Sequence, residues 1–96
     1  LAGLEATPEG DGTMLDNTVV VWMNELGLGP INNHSRLDQH VLLAGGGNAG
    51  LKLGHYVNLG GVGYHHLLLT LVHALGHTEV TRFGEEGTIV LPDFFA

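Results

Sequence analysis

Cysteine is absent from this 96-residue chain, so it has neither a disulfide framework nor a thiolate site. Positive charge is scarce. Three Lys and Arg stand against ten Asp and Glu, for a net charge of −7. Without clustered cations to neutralise phosphates, a nucleic-acid partner is excluded. Serine occurs once, at Ser35, and no G-x-S-x-G turn is present, so a hydrolase nucleophile of that type is not here. No apolar run approaches the ~18 residues of a membrane span. Charged residues make up only 14% of the chain, against about 25% in ordinary globular proteins.

Glycine and histidine are abundant instead, 16 and seven residues. Few charges together with many glycines predict that much of the surface is covered by more of the same polypeptide or by a partner. The length allows one small domain, which buries only a modest share of its surface.

Leu1, Leu4 and Ala6, followed by Pro8, Gly10 and Gly12, predict the end of a helix and then a turn. Thr18 to Met23 (TVVVWM) is β-branched and apolar without a break, and Gln39 to Ala44 reads similarly. Continuous apolarity predicts strands covered on both faces, as in a parallel sheet flanked by helices. Leu26 to Asp38 contains glycines, Pro30 and two asparagines and reads as a loop. It barely suffices as a parallel crossover, so further strands are expected beside these two. Residues 45–63 read as irregular, with a short strand at Lys52 to Val57. Tyr64 to Leu75 predicts a helix with a stripe of Leu67, Leu68, Leu71, Val72 and Leu75, closed by Gly76. A last short strand is expected at Thr88 to Leu91.

Gly45-Gly46-Gly47-Asn48-Ala49-Gly50 satisfies G-x-G-x-x-G. The dinucleotide mechanism also needs a helix opening at the third glycine and an acid about 20 residues on. Leu51 to Gly54 opens no helix, and position 70 is Thr. The expectation is a tight strand exit, where glycine lets the backbone run close to a neighbour.

Asn24, Glu25, His34, Asp38 and His40 lie at or near strand ends, where open α/β sheets gather their ligands. Such a set can hold zinc, iron or manganese. The competing reading is a solvated loop with Asp38 closing a turn. His66, Thr70, His73 and His77 form one helical stripe. His66 and His73 stand ~10 Å apart along the axis, too far to share a metal. The stripe is therefore expected to be a polar face opposite the leucines, and His65, at the helix start, is a separate site candidate.

The ordered blocks PEGDGTMLDNTVVVWMNELG, NNHS, VLLAGGG, HHLLLTLVHALG and FGEEG resemble, from about Thr7 to Gly87, the C-terminal part of a family of exported bacterial proteins. This domain-of-unknown-function group usually carries a twin-arginine signal. It is related in fold to the alkaline phosphatase and sulfatase superfamily. The resemblance implies an α/β fold: the C-terminal portion of an alkaline-phosphatase-like sheet flanked by helices, incomplete as a stand-alone domain. Residues 1–96 would then be one partial domain, exported to the periplasm or cell envelope. Its partners would be the remainder of its parent chain, other protein subunits, or both. In that superfamily a D-x-T strand ends in an Asp-His or Asp-Asn metal pair. Here Asp16-Asn17-Thr18 is present, but the pair is Asn24-Glu25. His34 matches a recurring loop histidine. Two functions follow. The chain is a non-catalytic structural or accessory element derived from such a protein. Alternatively it is part of a metal-dependent phosphate- or sulfate-ester hydrolase, holding zinc, manganese or calcium, with its nucleophile earlier in the parent.

Overall fold

The computed structural model describes residues 1–25 and 39–95. Helix α1 (Ala2–Ala6) is followed by a small antiparallel hairpin, β1 (Pro8–Glu9) with β2 (Gly12–Thr13). Turns over residues 14–17 then lead into β3 (Val19–Met23), which pairs with β4 (Val41–Gly45). A 3₁₀ turn at Gly47–Ala49 precedes helix α2 (Tyr64–Ala74), and a second at Pro92–Phe94 closes the chain. The architecture is a mixed α/β arrangement of two two-stranded sheets and two helices among the described residues.

The parallel sheet expected from the apolar runs is not what forms. β3 and β4 run antiparallel and are direct neighbours, with Val19 opposite Gly45 and Met23 opposite Val41. Nor do the described residues cover the strands on both faces. Val19, Val41 and Leu43 pack against Leu51, Leu67 and Leu71, together with Ala74, Leu91, Phe94 and Phe95. Because side chains alternate, Val20, Trp22, Leu42 and Ala44 share the opposite face. There Trp22 is 71% exposed and Leu42, directly across from it, 53%. An apolar run says that both faces avoid water, but it does not say what covers them.

Helix α2 ends as its sequence predicts. Gly76 takes φ +97°, its N–H bonds the His73 carbonyl, and the His77 N–H reaches back to the Val72 carbonyl. This doubly bonded C-terminal cap needs the left-handed conformation that glycine adopts without a Cβ clash. The buried side matches the predicted stripe only in part: Leu67 and Leu71 enter the core as expected, and Leu68 and Val72 are half-buried. Leu67, Leu69, Thr70 and Leu71 are buried, whereas Leu75 is 59% exposed. Leu69 sits about 200° around the helix from both Leu67 and Leu71, so α2 is covered on two sides. No strand forms at 52–57 or 88–91; the nearest pairings are isolated bridges, Leu51 with Phe95 and Phe83 with Gly87.

The glycine loop behaves as a strand exit. Gly45 and Gly46 have φ +77° and +72°. A Cβ on Gly45 would lie 2.1 Å from the Thr18 carbonyl oxygen, and one on Gly46 2.7 Å from Val19 Cγ2. The loop is fastened to the turn before β3 by Gly46 N–H to Leu15 O and Asn48 N–H to Asp16 O, 3.1 and 3.0 Å.

Candidate functional site

Antiparallel pairing delivers two of the polar strand ends to one place. Beyond the last pair, Met23 with Val41, Asn24 and Glu25 leave β3 where Gln39 and His40 enter β4. Gln39 Nε2 donates to the Glu25 carbonyl at 3.0 Å, which ties the two chain ends together. Asn24, Glu25 and His40 are all exposed. His34 and Asp38 lie outside the described residues. Among the described residues no three His, Cys, Asp or Glu side chains converge closely enough to hold a metal ion. No buried side-chain polar atom there lacks a partner. The described donors do not by themselves make up the expected metal centre.

His65 belongs to a different neighbourhood. Its ring stacks on Tyr64 with centroids 4.3 Å apart, and its Nδ1 stands 3.3 Å from Glu86 Oε2. Among the described residues no side-chain hydrogen bond or ion pair links it to Asn24, Glu25 or His40.

A second polar constellation surrounds the turn before β3. Asp16 Oδ2 accepts from the Thr13 N–H at 2.8 Å and the Thr13 hydroxyl at 3.2 Å. Asn48 Nδ2 donates to Asn17 Oδ1 at 2.6 Å, and Asn17 Nδ2 donates to Glu9 Oε2 at 2.8 Å. An open cleft of about 350 Å³ lies between this turn, the glycine loop and the α2 C-terminus at Ala74, Leu75 and Gly76. The Asp-x-Thr stretch thus acts structurally here, closing a turn and anchoring the glycine loop.

Comparison with family models, with curated proteins and with solved structures finds no match. Among the described residues no helix is long and apolar enough to cross a membrane.

The polar stripe of α2 departs most from expectation. His66, Thr70 and His73 bond the C-terminal segment, whereas His77 is exposed. Thr70 is fully buried; its hydroxyl donates to the His66 carbonyl at 2.7 Å and accepts from the Leu91 N–H at 2.8 Å. His66 Nδ1 accepts from the N–H groups of Thr88 and Ile89, at 3.2 and 3.1 Å. His73 Nε2 lies 2.6 Å from the Val80 carbonyl and donates to it, since a carbonyl can only accept. His66, Thr70 and His73 thus form a ladder of side chains that holds the C-terminal segment in place of strand pairing. The helical spacing of four polar residues was legible, but the extended segment that uses them had no periodic signal.

Beyond α2, the Glu79 carboxyl is held below the usual carboxylate range, mainly by a hydrogen bond from its own backbone N–H. The neighbouring His77, whose Nδ1 stands 3.4 Å from Glu79 Oε1, adds a smaller effect. A lowered carboxyl favours the folded form above the ordinary carboxylate range, and that contribution is lost as pH falls through the lowered value. Glu79 is fully exposed, so the effect is screened.

Proposed function

We propose that this chain is a non-catalytic structural or accessory element of an exported assembly, derived from an alkaline-phosphatase- or sulfatase-like protein. The observation that carries this is the Trp22–Leu42 face. An antiparallel sheet can leave one face in water, but that face is ordinarily polar; here it carries half-buried Val20 and Ala44 with exposed Trp22 and Leu42, an apolar surface that suits contact with further polypeptide. The thin core points the same way. Only Leu51, Leu67, Leu69 and Leu71 are buried apolar side chains among the described residues. The Cα radius of gyration, 14.8 Å, exceeds the roughly 12 to 13 Å of a compact chain this long. Further polypeptide of the parent or of neighbouring subunits supplies the missing cover, and the resemblance supports a location in the periplasm or cell envelope.

The second reading, part of a metal-dependent phosphate- or sulfate-ester hydrolase, is favoured by the position of Asn24, Glu25 and His40, all exposed at the same end of the β3–β4 ladder. Native mass spectrometry with metal analysis separates the two. The accessory reading expects a metal-free species larger than 10.2 kDa that contains this sequence. It also expects blue-shifted emission from Trp22, the sole tryptophan. A lone 10.2 kDa species with the emission of a water-exposed indole would sink it. Stoichiometric divalent metal and ester hydrolysis, both lost in Glu25→Ala, would establish the hydrolase instead.

The outer face carries its own prediction. Trp22→Ser combined with Leu42→Ser leaves the packed inner face untouched. It is expected to weaken association by about tenfold or more, as loss of a central aromatic anchor does. Sedimentation velocity measures this, and an unchanged distribution would remove the face from the interface.

A further inference from the structure

We propose that His66 is a proton-operated clasp for the C-terminal segment, releasing residues 81–90 on acidification while both ends of that segment stay fastened. This role follows from the direction of each hydrogen bond along α2.

Backbone N–H groups only donate, so the two that meet His66 Nδ1, from Thr88 and Ile89, require a lone pair there. The ring must be neutral, with its proton on Nε2. Protonation puts a hydrogen on Nδ1. That removes both bonds and sets three N–H groups against one another. The anchors on either side respond differently. His73 donates through Nε2 to the Val80 carbonyl, and an imidazolium donates there equally well. The Thr70 hydroxyl accepts from the Leu91 N–H and does not titrate. Leu91, Phe94 and Phe95 remain packed against the core, with Lys52 N–H bonded to Phe94 O at 2.8 Å. Acid therefore opens a bounded loop between Val80 and Leu91 rather than unravelling the terminus. That loop is the Phe83–Gly87 turn, which lies against the His65 carbonyl: a Cβ on Gly87 would approach it to 2.6 Å.

One charged pair beside the clasp, His65 with Glu86, acts in the opposite sense. Protonated His65 attracts Glu86 more strongly across their 3.3 Å contact, holding the turn down. His77 and Glu79, 3.4 Å apart, pair outside the loop. Arg82 and Glu85, within it, make no ion pair among the described residues. Glu86→Gln removes the opposing contact and is expected to sharpen release.

The test is amide hydrogen exchange at Thr88 and Ile89, expressed as protection factors to remove the intrinsic pH dependence. Protection is expected to fall about tenfold or more between about pH 7.5 and about pH 5, with Leu91 still protected. His66→Asn offers a non-titrating acceptor in the place of Nδ1, so its protection should stay flat over the same range. Unchanged protection in the native chain overturns the proposal, as does an equal loss in His66→Asn. Should that variant fail to fold, ¹⁵N shifts of the native imidazole decide. A neutral ring protonated on Nε2 at about pH 7.5 is required, and the opposite tautomer refutes the clasp.

Discussion

Gly45→Ala is expected to destabilise this chain by more than about 3 kcal/mol, enough to abolish the β3–β4 pairing in a domain of this size. Two costs add at this position. The φ of +77° belongs to the left-handed region, which costs a residue with a Cβ about 1 to 2 kcal/mol. The new methyl would also sit 2.1 Å from Thr18 O and 2.8 Å from Leu15 O. Both are backbone atoms, and Leu15 O already accepts the Thr18 and Gly46 N–H groups. Leu15 O cannot move without breaking the fastening between the glycine loop and the turn before β3. Gly50→Ala is the control. Its φ is +73°, yet nothing lies within 4 Å of the added carbon, so only the conformational cost applies. Urea denaturation followed by circular dichroism reads both. Equal losses in the two variants would mean that the close approach at Gly45 is absent.

Thr70→Val carries the second largest effect, a loss of about 2 to 3 kcal/mol. Valine fills nearly the same volume but cannot take either hydrogen bond. The hydroxyl is the acceptor that the Leu91 N–H uses, so the exchange leaves that donor unmatched beside a fully buried side chain. An unsatisfied buried donor costs more than the bond itself contributed. The Leu91 amide should then exchange far faster, and the Leu91, Phe94 and Phe95 packing should loosen with it. Thr70→Ser keeps the hydroxyl and loses only a methyl, about 1 kcal/mol. The order of the two variants is the test. Serine as costly as valine would mean that packing, not the hydroxyl, holds the segment.

The two variants touch the two devices on which the chain depends. One fastens the strand exit to the preceding turn, backbone to backbone. The other fastens an extended tail to a helix, side chain to backbone. Both lie outside regular ladders, and neither leaves a periodic trace. A glycine triplet after an apolar run signals close approach, but not to which segment. A polar residue every three or four positions signals a helix face, but not whether water or another part of the chain meets it.

The sequence by itself determined the local elements with strong periodic or punctuating signals. α2 and its Gly76 cap, the apolar runs that became β3 and β4, and the failure of the glycine triplet to open a long helix were all legible. Each depends on neighbours within a few residues, where propensity and spacing act directly. The sequence also showed a shortage of charge, which the exposed Trp22 and Leu42 now locate on one face of the sheet. Only the tertiary structure decided that β3 and β4 run antiparallel and adjacent, because an apolar run carries no direction. Only the tertiary structure separated His65, drawn to Glu86, from Asn24, Glu25 and His40 at the strand ends. It alone turned His66, Thr70 and His73 from a presumed solvent face into the clasp of the tail. Hydrogen bonds between residues seven to 23 positions apart depend on how the chain returns on itself, and no local pattern encodes that return.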